Sequence, residues 1–127
     1  MHISVILAAL LLFTAVEAKA ATIHVISGKA VKLHFAYSIN PDCTPVGEVT
    51  ARVTQSPQQG RISVARVQDF PHFPSTNIRS VCNRRRVTGT MIQYVSPRGF
   101  IGSDYVGIEI FYPSGSLRQE SFTIDVR

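Results

Sequence analysis

The sequence predicts an all-β chain folded as an antiparallel two-sheet sandwich of about seven strands with one disulfide. Three observations carry that prediction. Apolar residues recur at every second position through most of the chain, turn segments bearing Pro and Gly punctuate those runs, and the chain holds one pair of cysteines. Past residue 20 no stretch sustains a helical period.

The elements follow in order. The first is the short TIHVI at Thr22–Ile26. AVKLHFA (Ala30–Ala36) sets Val31, Leu33 and Phe35 on one face and Lys32 and His34 on the other, which sends His34 to solvent. EVTARVTQ (Glu48–Gln55) alternates Val49, Ala51 and Val53 against Thr50, Arg52 and Thr54. RISVAR (Arg61–Arg66) points Ile62 and Val64 inward, and TMIQYV (Thr90–Val95) does so with Ile92 and Tyr94. YVGIEIFY (Tyr105–Tyr112) buries Val106, Ile108, Ile110 and Tyr112, and ESFTIDVR (Glu120–Arg127) buries Phe122, Ile124 and Val126. Between them lie SGK at Ser27, SPQQG at Ser56–Gly60, SPRGFIG at Ser96–Gly102 and YPSGS at Tyr112–Ser116, where Pro fixes φ and Gly supplies φ > 0. Val67–Val87 breaks the rhythm: no clean period, two prolines, two phenylalanines and four arginines. An irregular segment of that length in a small domain often serves function.

The N-terminus predicts export. Ile3–Val16 is an uncharged apolar run, shorter than the roughly twenty residues a membrane span needs. Small residues follow at Ala18 and Ala20, so residues 1–20 read as a signal peptide, cleaved after Ala20 or after Ala18, and residues 21–127 as one domain. An uncleaved N-terminal anchor is the alternative, since Met1-His2 carries no Lys or Arg. The expected location is periplasmic or secreted, with no membrane span once the signal is removed. In such a compartment Cys43 and Cys82 pair as a disulfide.

Candidate chemistry is sparse. The histidines stand singly, no two acids form a closely spaced pair, and HExxH, GxSxG, GxGxxG and Walker-type patterns are missing. The expectation is a non-enzyme with no metal and no cofactor. Of 13 basic residues 3 are lysine, leaving 10 arginines. Arg84, Arg85 and Arg86 directly follow Cys82, with Arg79 just before it and Arg61, Arg66 and Arg98 as possible spatial neighbours. Arginine forks take phosphate or carboxylate in bidentate fashion, so Arg79, Arg84, Arg85 and Arg86 form the candidate contact for an anionic ligand or partner. Solvation of a small domain explains such charges as well, and is the somewhat stronger reading. Export makes nucleic acid a poor partner.

QSPQQGRISV (Gln55–Val64) followed by YVSPRGFIGSDYVGIEIFYPSGS (Tyr94–Ser116) resembles the bacterial Ig-like and cadherin-like repeat domains of surface and adhesin proteins. Pro57, Gly60, Tyr94, Pro97, Gly99, Phe100, Gly102 and Asp104 match that family's pattern; Gln59, Val106 and Pro113 depart from it. The resemblance implies an Ig-like sandwich and a structural motif: Tyr94 ends a strand, Pro97 to Gly99 turns the chain, Phe100 plugs the core, Gly102 permits close approach, and Asp104 caps the turn before the next strand. Acid-rich calcium linkers are missing, so calcium binding is not implied. The function expected is a small exported structural or interaction domain binding an envelope or extracellular protein. The first alternative is a basic-loop module binding anionic envelope polymers, and the second a secreted enzyme or hydrolase inhibitor.

Overall fold

Seven strands and one short 3-10 segment make up the regular structure of the computed structural model, which describes Leu12 and residues 20–127. The signal peptide expected at residues 1–20 therefore lies, but for Leu12 and Ala20, outside the described residues. The strands are β1 (Ala21–Val25), β2 (Ala30–Ala36), β3 (Thr50–Gln55), β4 (Arg61–Asp69), β5 (Val87–Val95), β6 (Gly102–Phe111) and β7 (Leu117–Val126); the 3-10 segment, Ile78–Arg84, lies between β4 and β5. They form two sheets ordered β1-β7-β6-β3 and β2-β5-β4. The chain is an all-β sandwich with one disulfide, Cys43–Cys82.

One ladder departs from the antiparallel expectation. β1 runs parallel to β7, from Ala21 opposite Phe122 to Val25 opposite Val126. The tight turn at Ser27–Gly28 explains this, because it carries the chain from one sheet into the other instead of closing a hairpin. Gly28, with φ +76°, supplies the left-handed step. The parallel ladder then runs on through Arg127 N–H to Val25 O (2.9 Å) and Ser27 N–H to Arg127 O (2.8 Å).

The core lies between the sheets. Val106, Ile108 and Ile110 of β6 and Phe122, Ile124 and Val126 of β7 meet Leu33, Ala36, Ile92 and Tyr94 from the other layer. Burying one such aliphatic side chain stabilises by about 1.5–3 kcal/mol, so the period-two pattern locates most of the folding energy.

Three departures from simple alternation shape the surface. In β2 the register shifts between Lys32 and His34. Such a bulge re-aims everything beyond it. Leu33 and Ala36 both reach the main core, Phe35 joins a second cluster with Ile39, Cys82 and Val87, and His34 becomes half-buried rather than solvent-facing. Val64 is 43% exposed, because edge strand β4 faces only the margin of β3. Finally, β4 and β5 pair as far as Asp69 opposite Val87, so the ends of the aperiodic region are strand.

Candidate functional site

The segments joining β2 to β3 and β4 to β5 form a cap over one end of the sandwich, stapled by Cys43–Cys82 with Cα atoms 5.5 Å apart. Around Cys43 the chain doubles back: Ile39 bridges Pro45, Asn40 N–H donates to Thr44 O (2.8 Å) and Cys43 N–H to Asn40 O (2.8 Å). Cys43 takes φ +71°, a conformation that costs a non-glycine residue on the order of 1 kcal/mol. The Asp42 carboxylate offsets it, accepting from the Thr44 backbone (3.1 Å) and hydroxyl (2.6 Å).

The other half of the cap is equally well held. The Asn83 side chain accepts from Phe73 N–H and donates to Phe73 O, both at 2.9 Å. His72 N–H donates to the Tyr37 hydroxyl (2.7 Å), and the Tyr37 ring packs between Phe35 and Phe73 at 5.3 Å from each. Arg79 Nε donates to Ile39 O (2.8 Å), binding the 3-10 segment to the opposite loop beside Cys82, which is fully buried. Arg79, half-buried, thus helps to clamp the cap through one N–H of its guanidinium.

The outward face of the cap is different in character. With three residues per turn, Ile78, Val81 and Arg84 line up in one row. Ile78 is 69% and Val81 65% exposed. Arg84 and Arg85 are exposed and make no ion pair within the described residues. Arg86 lies over the Phe70 ring, 5.5 Å from its centroid. The remaining candidate arginines do not gather here. Arg66 pairs with Glu48 at 3.1 Å. Arg61 stands opposite Val95, and Arg98 packs on Gly28. Both belong to the far end of the nine-residue β5, about 30 Å away at 3.3 Å per residue.

Beneath the cap a cleft of about 310 Å³ opens between β2 and the Asp69–His72 segment, walled by Leu33, Phe35, Tyr37 and Phe70, with His34 and His72 reaching into it. The Lys32–Asp69 ion pair lies at its margin. Burial lowers the His34 pKa; Glu120 of β7 opposes that shift and Arg118 reinforces it. The sequence pattern misses His34 because the bulge that turns it inward leaves no mark on the alternation of residue types.

The opposite end holds the turn motif. Tyr94 is fully buried inside β5, one residue from its end. Phe100 N–H closes a turn onto Pro97 O (3.1 Å), Gly99 takes φ +89°, Phe100 packs on the core, and Gly102 takes φ +144° against the Phe100 ring. Asp104 does not cap its own turn: it lies within β6 and reaches across to Ser56–Gly60, because β6 has already begun at Gly102. Its carboxylate accepts from the backbone N–H of Gln58 (2.8 Å), Gln59 (3.2 Å), Gly60 (2.9 Å) and Tyr105 (3.0 Å) and from the Tyr94 hydroxyl (2.8 Å). Burial works to raise its pKa, but these donors, Gly60 and Tyr94 foremost, hold it below the usual value. Burial and the Asp104 bond push the Tyr94 hydroxyl far up.

Among the described residues, no group of three or more His, Cys, Asp or Glu is placed to hold a metal ion, and no helix is long and apolar enough to cross a membrane. No protein-family model and no curated protein matches the chain. Among solved structures it is similar to the solution structure of Amebosin at 16% identity, covering 84% of this chain and 88% of that one with a TM-score of 0.49.

Proposed function

We propose that the protein is an exported interaction domain of Ig-like kinship that binds a protein partner through its disulfide-stapled cap. Strand order, with β1 crossing to lie parallel to β7 at the sheet edge, supports the kinship; the disulfide supports an oxidising compartment, periplasmic or extracellular. The observation that carries the reading is the row Ile78, Val81, Arg84 beside Arg85. Two large apolar side chains stand in solvent on a disulfide-stapled segment, next to cations that make no ion pair among the described residues. Apolar anchors combined with arginine are what protein contact surfaces concentrate. A fixed backbone lowers the entropy lost on docking.

The partner surface that fits is an apolar depression rimmed by carboxylates. A photo-crosslinking residue at Val81, in cells that make the protein, should yield a discrete protein adduct that disappears in Ile78→Asp and weakens with added salt. The same adduct from a control position at Thr54, or none from Val81, refutes the proposal. A second reading, an anionic envelope polymer as ligand, is favoured by Arg84 and Arg85 alone. It predicts polymer binding abolished by Arg84→Ser/Arg85→Ser/Arg86→Ser, untouched by Ile78→Asp, and steeply reduced by salt through counterion release.

A further inference from the structure

We propose a second binding site, for an uncharged saccharide, on the outer face of the β1-β7-β6-β3 sheet at the end away from the cap. A shallow depression of about 260 Å³ lies there, lined by Gln55, Ser56, Gln58, Ser103, Tyr105 and Thr123 around the buried Asp104. The register of β3 shifts between Val53 and Gln55, which sets Gln55 opposite Gly107. Gly107 makes room there for the bulged strand: a Cβ on it would stand 2.9 Å from the Thr54 hydroxyl and 3.3 Å from Gln55 Cβ, so the glycine lets β3 seat Gln55 beside Tyr105. Tyr105, 38% exposed and paired with Thr123, stands at the margin of the hollow.

The chemistry of the lining selects the ligand class. A sugar ring offers C–H faces and a rim of hydroxyls. An exposed aromatic ring covers the first. Amides and hydroxyls, which both donate and accept, satisfy the second. Gln55, Gln58, Ser56, Ser103 and Thr123 supply two amides and three hydroxyls, and none of these side chains makes a hydrogen bond within the described residues; neither does the Tyr105 hydroxyl. The one charge present, Asp104, is 6% exposed and already accepts from five donors. An anion would therefore find no cation in the lining, and a cation no free carboxylate.

The hollow is also rigid. Asp104 clamps the Gln58–Gly60 backbone to β6, so Gln58 projects from fixed main chain and Gln55 from a paired strand. Less ordering then remains to be done on binding.

The test is backbone amide NMR on the purified protein, titrated with chitotriose, maltotriose, cellotriose and xylotriose, with a heparin oligosaccharide as the charged comparator. At least one neutral probe should shift the amides of Gln55, Tyr105 and Thr123, leave those of Ile78 to Arg86 in place, and bind equally at low and high salt. Tyr105→Ala should weaken that binding by about tenfold, an aromatic contact's share, without changing the melting temperature; Gln55→Ala should weaken it with the fold equally intact. The proposal is overturned if no neutral probe shifts those amides, if heparin alone binds, or if the shifts survive Tyr105→Ala.

Discussion

Replacing Asp104 with Asn removes one carboxylate oxygen and keeps the size of the side chain, so it isolates the charge and the acceptor. In the wild type one oxygen accepts from Gln58 and Tyr105, and the other from Gln59, Gly60 and the Tyr94 hydroxyl. Put the Asn oxygen on the first set, and its NH₂ confronts the N–H groups of Gln59 and Gly60, donor against donor; the Tyr94 hydroxyl alone can rotate to accept. Two backbone donors are stranded, each costing about 1–3 kcal/mol. Bonds to a charged acceptor give way to weaker neutral ones as well. The sum is about 3–5 kcal/mol, a large part of the roughly 5–15 kcal/mol of a typical domain. Tyr94→Phe strands no backbone donor and should cost only about 1–2 kcal/mol. Urea unfolding followed by far-UV circular dichroism measures both, the chain having no Trp. The sign with pH is fixed by linkage: the folded Asp104 pKa is depressed, so its contribution is complete above the unfolded carboxyl value and is lost as pH falls through the folded one. The difference between wild type and Asp104→Asn should therefore narrow in acid. A cost under about 1 kcal/mol, or a difference that stays constant down to the acid limit, would refute the clamp.

Four further outcomes are expected. Cys43→Ser/Cys82→Ser opens a loop closed over a separation of 39 residues and should lower stability by about 4 kcal/mol in equilibrium unfolding. Gly60→Ala places a Cβ 2.4 Å from the Tyr94 ring and should cost on the order of 3 kcal/mol in the same assay. Because burial depresses the His34 pKa, its neutral form is the one the fold favours. Stability is then full above the unfolded value of about 6.5 and falls as pH drops below it, and the thermal unfolding curves of His34→Gln should lose that slope. Ile78→Ser/Val81→Ser removes side chains that are 69% and 65% exposed; each change should stay within about 0.5 kcal/mol, and a larger loss in melting experiments would make the row part of the cap's packing.

Period-two alternation reads out where side chains are sorted by a flat, regular face, and that covers β3, β6 and β7. It fails where geometry changes without a change in residue type. The β2 bulge is invisible in AVKLHFA because Leu33, Phe35 and Ala36 all look equally fit for a core. The edge position of β4 is invisible because Ile62 and Val64 alternate as well as any buried pair. The role of Asp104 shows only in tertiary structure, since its donors at Gln58 to Gly60 lie far back in the chain. The arginines were legible as a run at Arg84–Arg86, but β5 separates that run from Arg61 and Arg98. The depression beside Tyr105 has no local sequence signal, because its lining comes from three separate stretches, Gln55 to Gln58, Ser103 to Tyr105 and Thr123, that only the sheet brings together.

The two ends of the sandwich are closed by different physics, and this makes the two proposed contacts separable. The cap is held by a covalent bond, an aromatic stack and the Arg79 and Asn83 side chains, and Asp69 and Lys32 pair only at its margin. The far turn is held by one ionised carboxylate. Reducing the cystine therefore loosens the segment that carries Ile78, Val81 and Arg84, though Arg79 and Asn83 still tether it, and leaves the hollow beside Tyr105 formed. Asp104→Asn does the reverse, freeing Gln58 while the cystine keeps the apolar row in place. If one protein surface served both contacts, either perturbation would abolish both. Weakened cap binding under reduction with amide shifts at Tyr105 preserved, and the opposite pattern in Asp104→Asn, is the signature of two independent sites on one small scaffold.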